Sequence, residues 1–97
     1  MNCCREEYSL QQNYPNPFNP STRINFHLPE DGFVSISILD IKGREIVTIL
    51  EEEQVAGSKS VNWTAVNKNG DLLPSGVYIC QMKTNDLILS KKMILLR

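Results

Sequence analysis

Ninety-seven residues, 41% of them apolar and 22% charged, make one small globular domain. A chain this short buries only about two-thirds of its unfolded surface, so its core must be efficient. Ten basic against eleven acidic side chains leave a net charge of −1, a balance that argues against nucleic acid, which demands a basic face, and gives no support for an anionic membrane surface.

The N-terminal stretch, Met1 to Glu7, has no apolar run and does not read as a signal peptide. Residues 1–12 are expected to be residual linker and residues 13–97 the folded domain. The first informative segment is Asn13-Tyr14-Pro15-Asn16-Pro17-Phe18-Asn19-Pro20, which places three of the five prolines within eight residues. Proline fixes φ and pushes its predecessor out of the helical region, so the segment is a stiff extended ribbon or a chain of tight turns. Proline-rich linkers rarely carry aromatics. Tyr14 and Phe18, four apart, are therefore both expected to dock, and to make the segment an ordered strap.

Thr22 to Leu28 alternates, with Ile24, Phe26 and Leu28 on one face and Arg23, Asn25 and His27 on the other, the period of a half-buried strand. Pro29 to Gly32 is a turn. Phe33 to Leu39 alternates again with Val34, Ile36 and Ile38 inward, and Asp40-Ile41-Lys42-Gly43 closes a second turn. Arg44 to Leu50 is a third strand, β-branched at Ile46, Val47, Thr48 and Ile49; that density overrides the helical preference of Glu51 to Gln54. Glu51-Glu52-Glu53 is expected to end the strand as a solvated acidic turn. Ser58 to Thr64 is a fourth strand with Val61 and Trp63 together, and Trp63 belongs in the core. Asn69-Gly70 marks a turn. Val77 to Thr84 follows with Tyr78, Cys80 and Met82 inward, and Leu87 to Leu96 is the last strand. Six or seven short strands punctuated by turns predict an all-β, immunoglobulin or fibronectin III-like antiparallel sandwich.

Chemistry is sparse. His27 is the one histidine and falls on the polar face, so no nucleophile has an evident base. Cys3, Cys4 and Cys80 match neither a disulfide framework nor zinc spacing, and Cys80 sits in an apolar run as a small hydrophobe. Asn67 to Asp71 lacks the ligand positions of a calcium loop. The expectation is no catalytic residue, no cofactor and no metal site.

Asn13-Tyr14-Pro15-Asn16-Pro17-Phe18-Asn19-Pro20-Ser21-Thr22, the turn Leu39-Asp40-Ile41-Lys42-Gly43-Arg44-Glu45-Ile46, Ala56-Gly57 with Val61-Asn62-Trp63, Leu73-Pro74-Ser75-Gly76-Val77-Tyr78, and the terminal Lys91-Lys92-Met93-Ile94-Leu95-Leu96-Arg97 occur in that order. Together they resemble the C-terminal sorting domain of the type IX, or Por, secretion system. The strands also resemble the immunoglobulin-like domain of flagellar hook-capping proteins. The resemblance implies a non-catalytic address label at the end of an exported parent protein. An outer-membrane translocon reads such a label, and a sortase-like peptidase commonly removes it and links the N-terminal cargo to the surface. It implies passage through the periplasm to the cell surface or medium.

The residues expected to meet the translocon are Lys91, Lys92, Met93, Ile94, Leu95, Leu96 and Arg97, a strand with a basic mark suited to strand addition or to a carboxylate pocket. The other readings are a carbohydrate-binding module using Tyr14, Phe18 and Phe33, and a passive immunoglobulin-like spacer that associates through strand edges.

Overall fold

The computed structural model describes residues 7–85 and 87–96. Its strands are β1 (Ser9–Leu10), β2 (Ser21–Leu28), β3 (Gly32–Leu39), β4 (Glu45–Gln54), β5 (Gly57–Thr64), β6 (Gly76–Thr84) and β7 (Ile88–Leu95). They form two antiparallel sheets, of order β1-β2-β5 and β4-β3-β6-β7. This is the three-plus-four arrangement of a fibronectin III-like sandwich, as the alternation predicts.

The inward residues of each strand close the core. Ile24, Phe26 and Leu28 from β2 and Trp63 from β5 face Val34, Ile36 and Ile38 from β3, Tyr78, Cys80 and Met82 from β6, and Met93 and Leu95 from β7. β2, β3 and β6 each give one face to this layer and the other to solvent, the two-residue period of a pleated sheet, whereas Ile46, Val47, Ile49 and Leu50 of the edge strand β4 are all half-buried against it. Burial pushes the Cys80 thiol up to about 12, so it stays protonated at neutral pH.

The structure corrects three expectations. β4 does not stop at Leu50; it continues through Glu51, Glu52 and Glu53, which pair with Ser35, Val34 and Phe33. The three carboxylates lie exposed on an edge strand, where charge blocks further pairing and does not prevent strand geometry. Upstream of the strap, Ser9 and Leu10 pair with His27 and Phe26, and Leu10 is buried, so the sandwich recruits part of the stretch assigned to linker. Finally, Phe18 docks but Tyr14 does not: Phe18 is 1% exposed and Tyr14 77%.

Candidate functional site: the strap, the terminal strand and the outer sheet face

The strap begins on the three-stranded sheet and ends on the four-stranded one. Tyr14 exchanges both backbone hydrogen bonds with Arg23 of β2, at 2.9 and 2.8 Å. This pairing sets Tyr14 beside the exposed Arg23 on the outer face, which is why its ring stays in solvent. The chain then turns through Pro15 to Pro17 and reaches β7. There Phe18 N–H donates to Ile94 O at 2.9 Å, Leu96 N–H donates to Phe18 O at 3.0 Å, and Phe18 and Leu95 form a parallel bridge. The Phe18 ring lies 5.8 Å from the Trp63 ring at a tilt of 51°, a favourable aromatic geometry.

A buried polar cluster fixes the root of the strap. Asn13 Nδ2 donates to Pro15 O at 3.0 Å and to Thr22 Oγ1 at 2.9 Å, and Thr22 Oγ1 donates to Pro15 O at 3.0 Å. Asn13 and Thr22 are the buried polar residues of the described chain, and each is satisfied, as buried polar groups must be. Gln12 Nε2 links the cluster outward to Asn13 Oδ1 and to Lys92 O, both at 2.7 Å. Asn16 Oδ1 accepts the N–H of Ile94 at 2.9 Å. Four backbone groups on the outer edge of β7, between Lys92 and Leu96, are thus already taken by the strap. The expected capture of this strand by strand addition is closed along that length.

Other quoted motifs are turns with identifiable physics. Asp40 Oδ1 accepts the N–H groups of Lys42 and Arg44, both at 2.9 Å, and Asp40 Oδ2 pairs with Arg44 Nε at 3.0 Å. Gly43 has φ +86°, a left-handed conformation that glycine enters without strain. The Arg44 N–H bond, the Arg44 guanidinium and the Lys42 N–H hold the Asp40 carboxyl below its ordinary value against a smaller opposing desolvation. The Pro74–Tyr78 segment is tied by Tyr78 OH donating to Pro74 O at 2.6 Å, which locks the entry to β6.

Lys91 and Lys92 are both exposed but do not share a face. Lys91 lies opposite Cys80, on the core side of an edge strand, and Lys92 lies opposite Ile79, on the outer side. Met93 and Leu95 are core residues, Ile94 is half-buried and Leu96 exposed; Arg97 lies outside the described residues, as do Cys3 and Cys4. On the outer face of the four-stranded sheet, Lys92 joins Asp40, Ile41, Val77 and Ile79 around an open, largely apolar trough of about 630 Å³. Sequence reasoning singled out Asp40, Val77 and Lys92 in separate motifs but missed that Ile41 and Ile79 complete one surface between them. The signal was available in strand parity, since Ile79 lies between the inward Tyr78 and Cys80.

Of the aromatics considered for sugar stacking, Phe18 is buried and Tyr14 and Phe33 are carried on different sheets, so the three form no platform. His27 Nδ1 lies 3.1 Å from Ser58 Oγ across the β2–β5 pair. Among the described residues no cluster of three or more His, Cys, Asp or Glu is placed to hold a metal ion. No helix among them is long and apolar enough to cross a membrane.

A fibronectin III-like sandwich with a proline strap clamped on its seventh strand defines a class of strapped β modules. The family of secretion system C-terminal sorting domains, the Por secretion tail, matches residues 12–96, and the chain belongs to that family. Members are sorting signals, associated with export to the cell surface or the extracellular space. No curated protein matches the chain. The fold is similar to part of dimeric latent PorU from Porphyromonas gingivalis, with a TM-score of 0.71 at 20% identity over 96% of this chain and 10% of that one. It is similar to part of PorZ, an essential surface component of the type IX secretion system of the same organism, with a TM-score of 0.59 at 21% identity over 93% of this chain and 11% of that one. FLGD from P. aeruginosa gives 0.61 at 20% identity, over 82% of this chain and 70% of that one. The chain spans about one-tenth of the length of PorU and PorZ.

Proposed function

We propose that this domain directs an exported parent protein to the outer-membrane type IX translocon, which reads it in the folded state, for secretion or for surface attachment by a sortase-like peptidase. The observation that carries this reading is the convergence of the family's motifs. The strap, the terminal strand, the Asp40 turn and the Val77 entry to β6 meet at one end of the four-stranded sheet. A receptor reading shape at that end touches four segments that are far apart in the sequence. The recognition surface is the exposed side chains of Lys91, Lys92 and Leu96 together with the neighbouring outer face, since the strap already occupies the Lys92–Leu96 strand edge.

The test is export of a periplasmic reporter carrying this domain at its C-terminus, in a cell with a type IX system. The reporter should reach the surface or medium. Lys91→Glu with Lys92→Glu alters two exposed charges, which usually changes stability by about 0.5 kcal/mol or less. The folded double variant should leave the reporter in the periplasm. Normal export of that variant would move recognition off the basic pair; failure of the parent domain to export anything would overturn the sorting reading.

A further inference from the structure

The outer face of the four-stranded sheet carries an order of side chains that is complementary to itself. Leu39 pairs with Glu45 on one side and with Ile79 on the other, and Ile79 pairs with Lys92. Glu45, Leu39, Ile79 and Lys92 therefore lie abreast on one rung that crosses β4, β3, β6 and β7. The rung has an acid at one end, a base at the other and two apolar residues between. Leu39 and Ile79 remain half-buried, while Glu45 and Lys92 are exposed. Beyond the rung, Ile41 stands 69% exposed beside the apolar trough floored by Val77 and Ile79.

We propose that this face docks a second copy of the chain, face to face, about a two-fold axis parallel to the strands and centred between β3 and β6. Such an axis lays β4 of one copy over β7 of the other. It brings Glu45 over the partner copy's basic rung end, stacks the apolar pair on its own reversed image, and sets each Ile41 over the other copy's trough. The perpendicular in-plane axis would place acid over acid, so charge selects the first arrangement. Four strands about 4.8 Å apart and eight residues long present a face of about 500 Å². The pair thus buries about 1,000 Å² in all, the size of a weak, reversible complex and not of an obligate dimer. The inference does not depend on the sorting role.

Sedimentation equilibrium of the purified chain, in a series reaching millimolar concentration, tests it. A reversible monomer–dimer equilibrium is expected. Ile41→Lys changes an exposed side chain and should leave a folded monomer. Lys92→Glu and Glu45→Lys should each weaken the dimer about tenfold, because each creates two repulsive pairs per dimer, and the two together should restore it to within about threefold of the parent. Amide spectra confirm that each variant is folded. A chain that stays monomeric throughout, a dimer indifferent to Ile41→Lys, or a double variant no tighter than either single one would overturn the proposal. The first result would leave the face to a different protein; the second would place the contact on a strand edge.

Discussion

Asn16 presents its side-chain Oδ1 to the backbone N–H of Ile94 at 2.9 Å, across 78 residues of sequence. A side chain here takes the place of a strand. Pro15 and Pro17, on either side of it, have no N–H to donate, so the strap cannot run a regular ladder along β7. Asparagine, with a short side chain ending in an amide, offers the Ile94 N–H a side-chain acceptor in place of a backbone carbonyl.

Asn16→Ala should release the Ile94 amide to exchange with solvent while the Met93 amide, on the β6 side of the strand, keeps its protection. The stability loss should be about 0.5–1.5 kcal/mol, that of one hydrogen bond. Residue-resolved hydrogen exchange and urea unfolding give both quantities. Unchanged exchange at Ile94 would show that the contact holds nothing in place.

The two strap aromatics should behave as opposites. Phe18→Ala removes a fully buried ring packed on Trp63 and should cost about 3–5 kcal/mol, close to the whole stability of so small a domain. Tyr14→Ala removes an exposed ring and should change the urea midpoint by no more than about 0.5 kcal/mol in free energy. Similar costs for the two would contradict the split placement.

Cys80 makes stability fall in alkali. Its thiol is raised from 9.0 to about 12 in the folded chain, so the unfolded chain loses the proton first. The contribution is intact below pH 9 and is lost as pH rises toward 12, at a slope of about 1.4 kcal/mol per pH unit. Unfolding curves of the parent and of Cys80→Ala, compared from neutral pH upward, should converge with that slope. Parallel curves would mean that the thiol ionises in place.

Asp40 acts at the other end of the scale. Its carboxylate is held below the ordinary 3.8 by the Arg44 and Lys42 partners, so the turn's contribution is present above 3.8 and is lost as pH falls through the lower folded value. The amide resonances of Lys42 and Arg44 should titrate together, with a midpoint below 3.8, and neither should titrate in Asp40→Asn.

The core was legible because alternation in β2, β3 and β6 is a local property: Ile24, Phe26 and Leu28, or Tyr78, Cys80 and Met82, mark their face whatever the sheet order. The acidic run of β4 misled because composition marks solvent, and an edge strand is as wet as a turn. Tyr14 and Phe18 look equivalent in the sequence because four residues of extended chain return to one face. The chain changes partner strand between them, and that change is a tertiary event with no local signature. Ser9–Leu10 is too short to show a period. The opposite placement of Lys91 and Lys92 was legible from parity alone. The rung that joins Glu45 to Lys92 was not, since it needs three strand registers at once.

Synthesis runs from the strap toward β7, so the strap's seat is made after the other six strands. At about 5–20 residues per second, the 78 residues from Asn16 to Ile94 take about 4–16 s to appear. During that time Phe18 has no Ile94 carbonyl or Leu96 amide to meet, and its ring covers a Trp63 that is itself still emerging. A chain broken off before β7 leaves the strap without a place to lie. The clamp therefore closes only once synthesis has passed through β7, so the closed strap reports that every strand of the sandwich has been made.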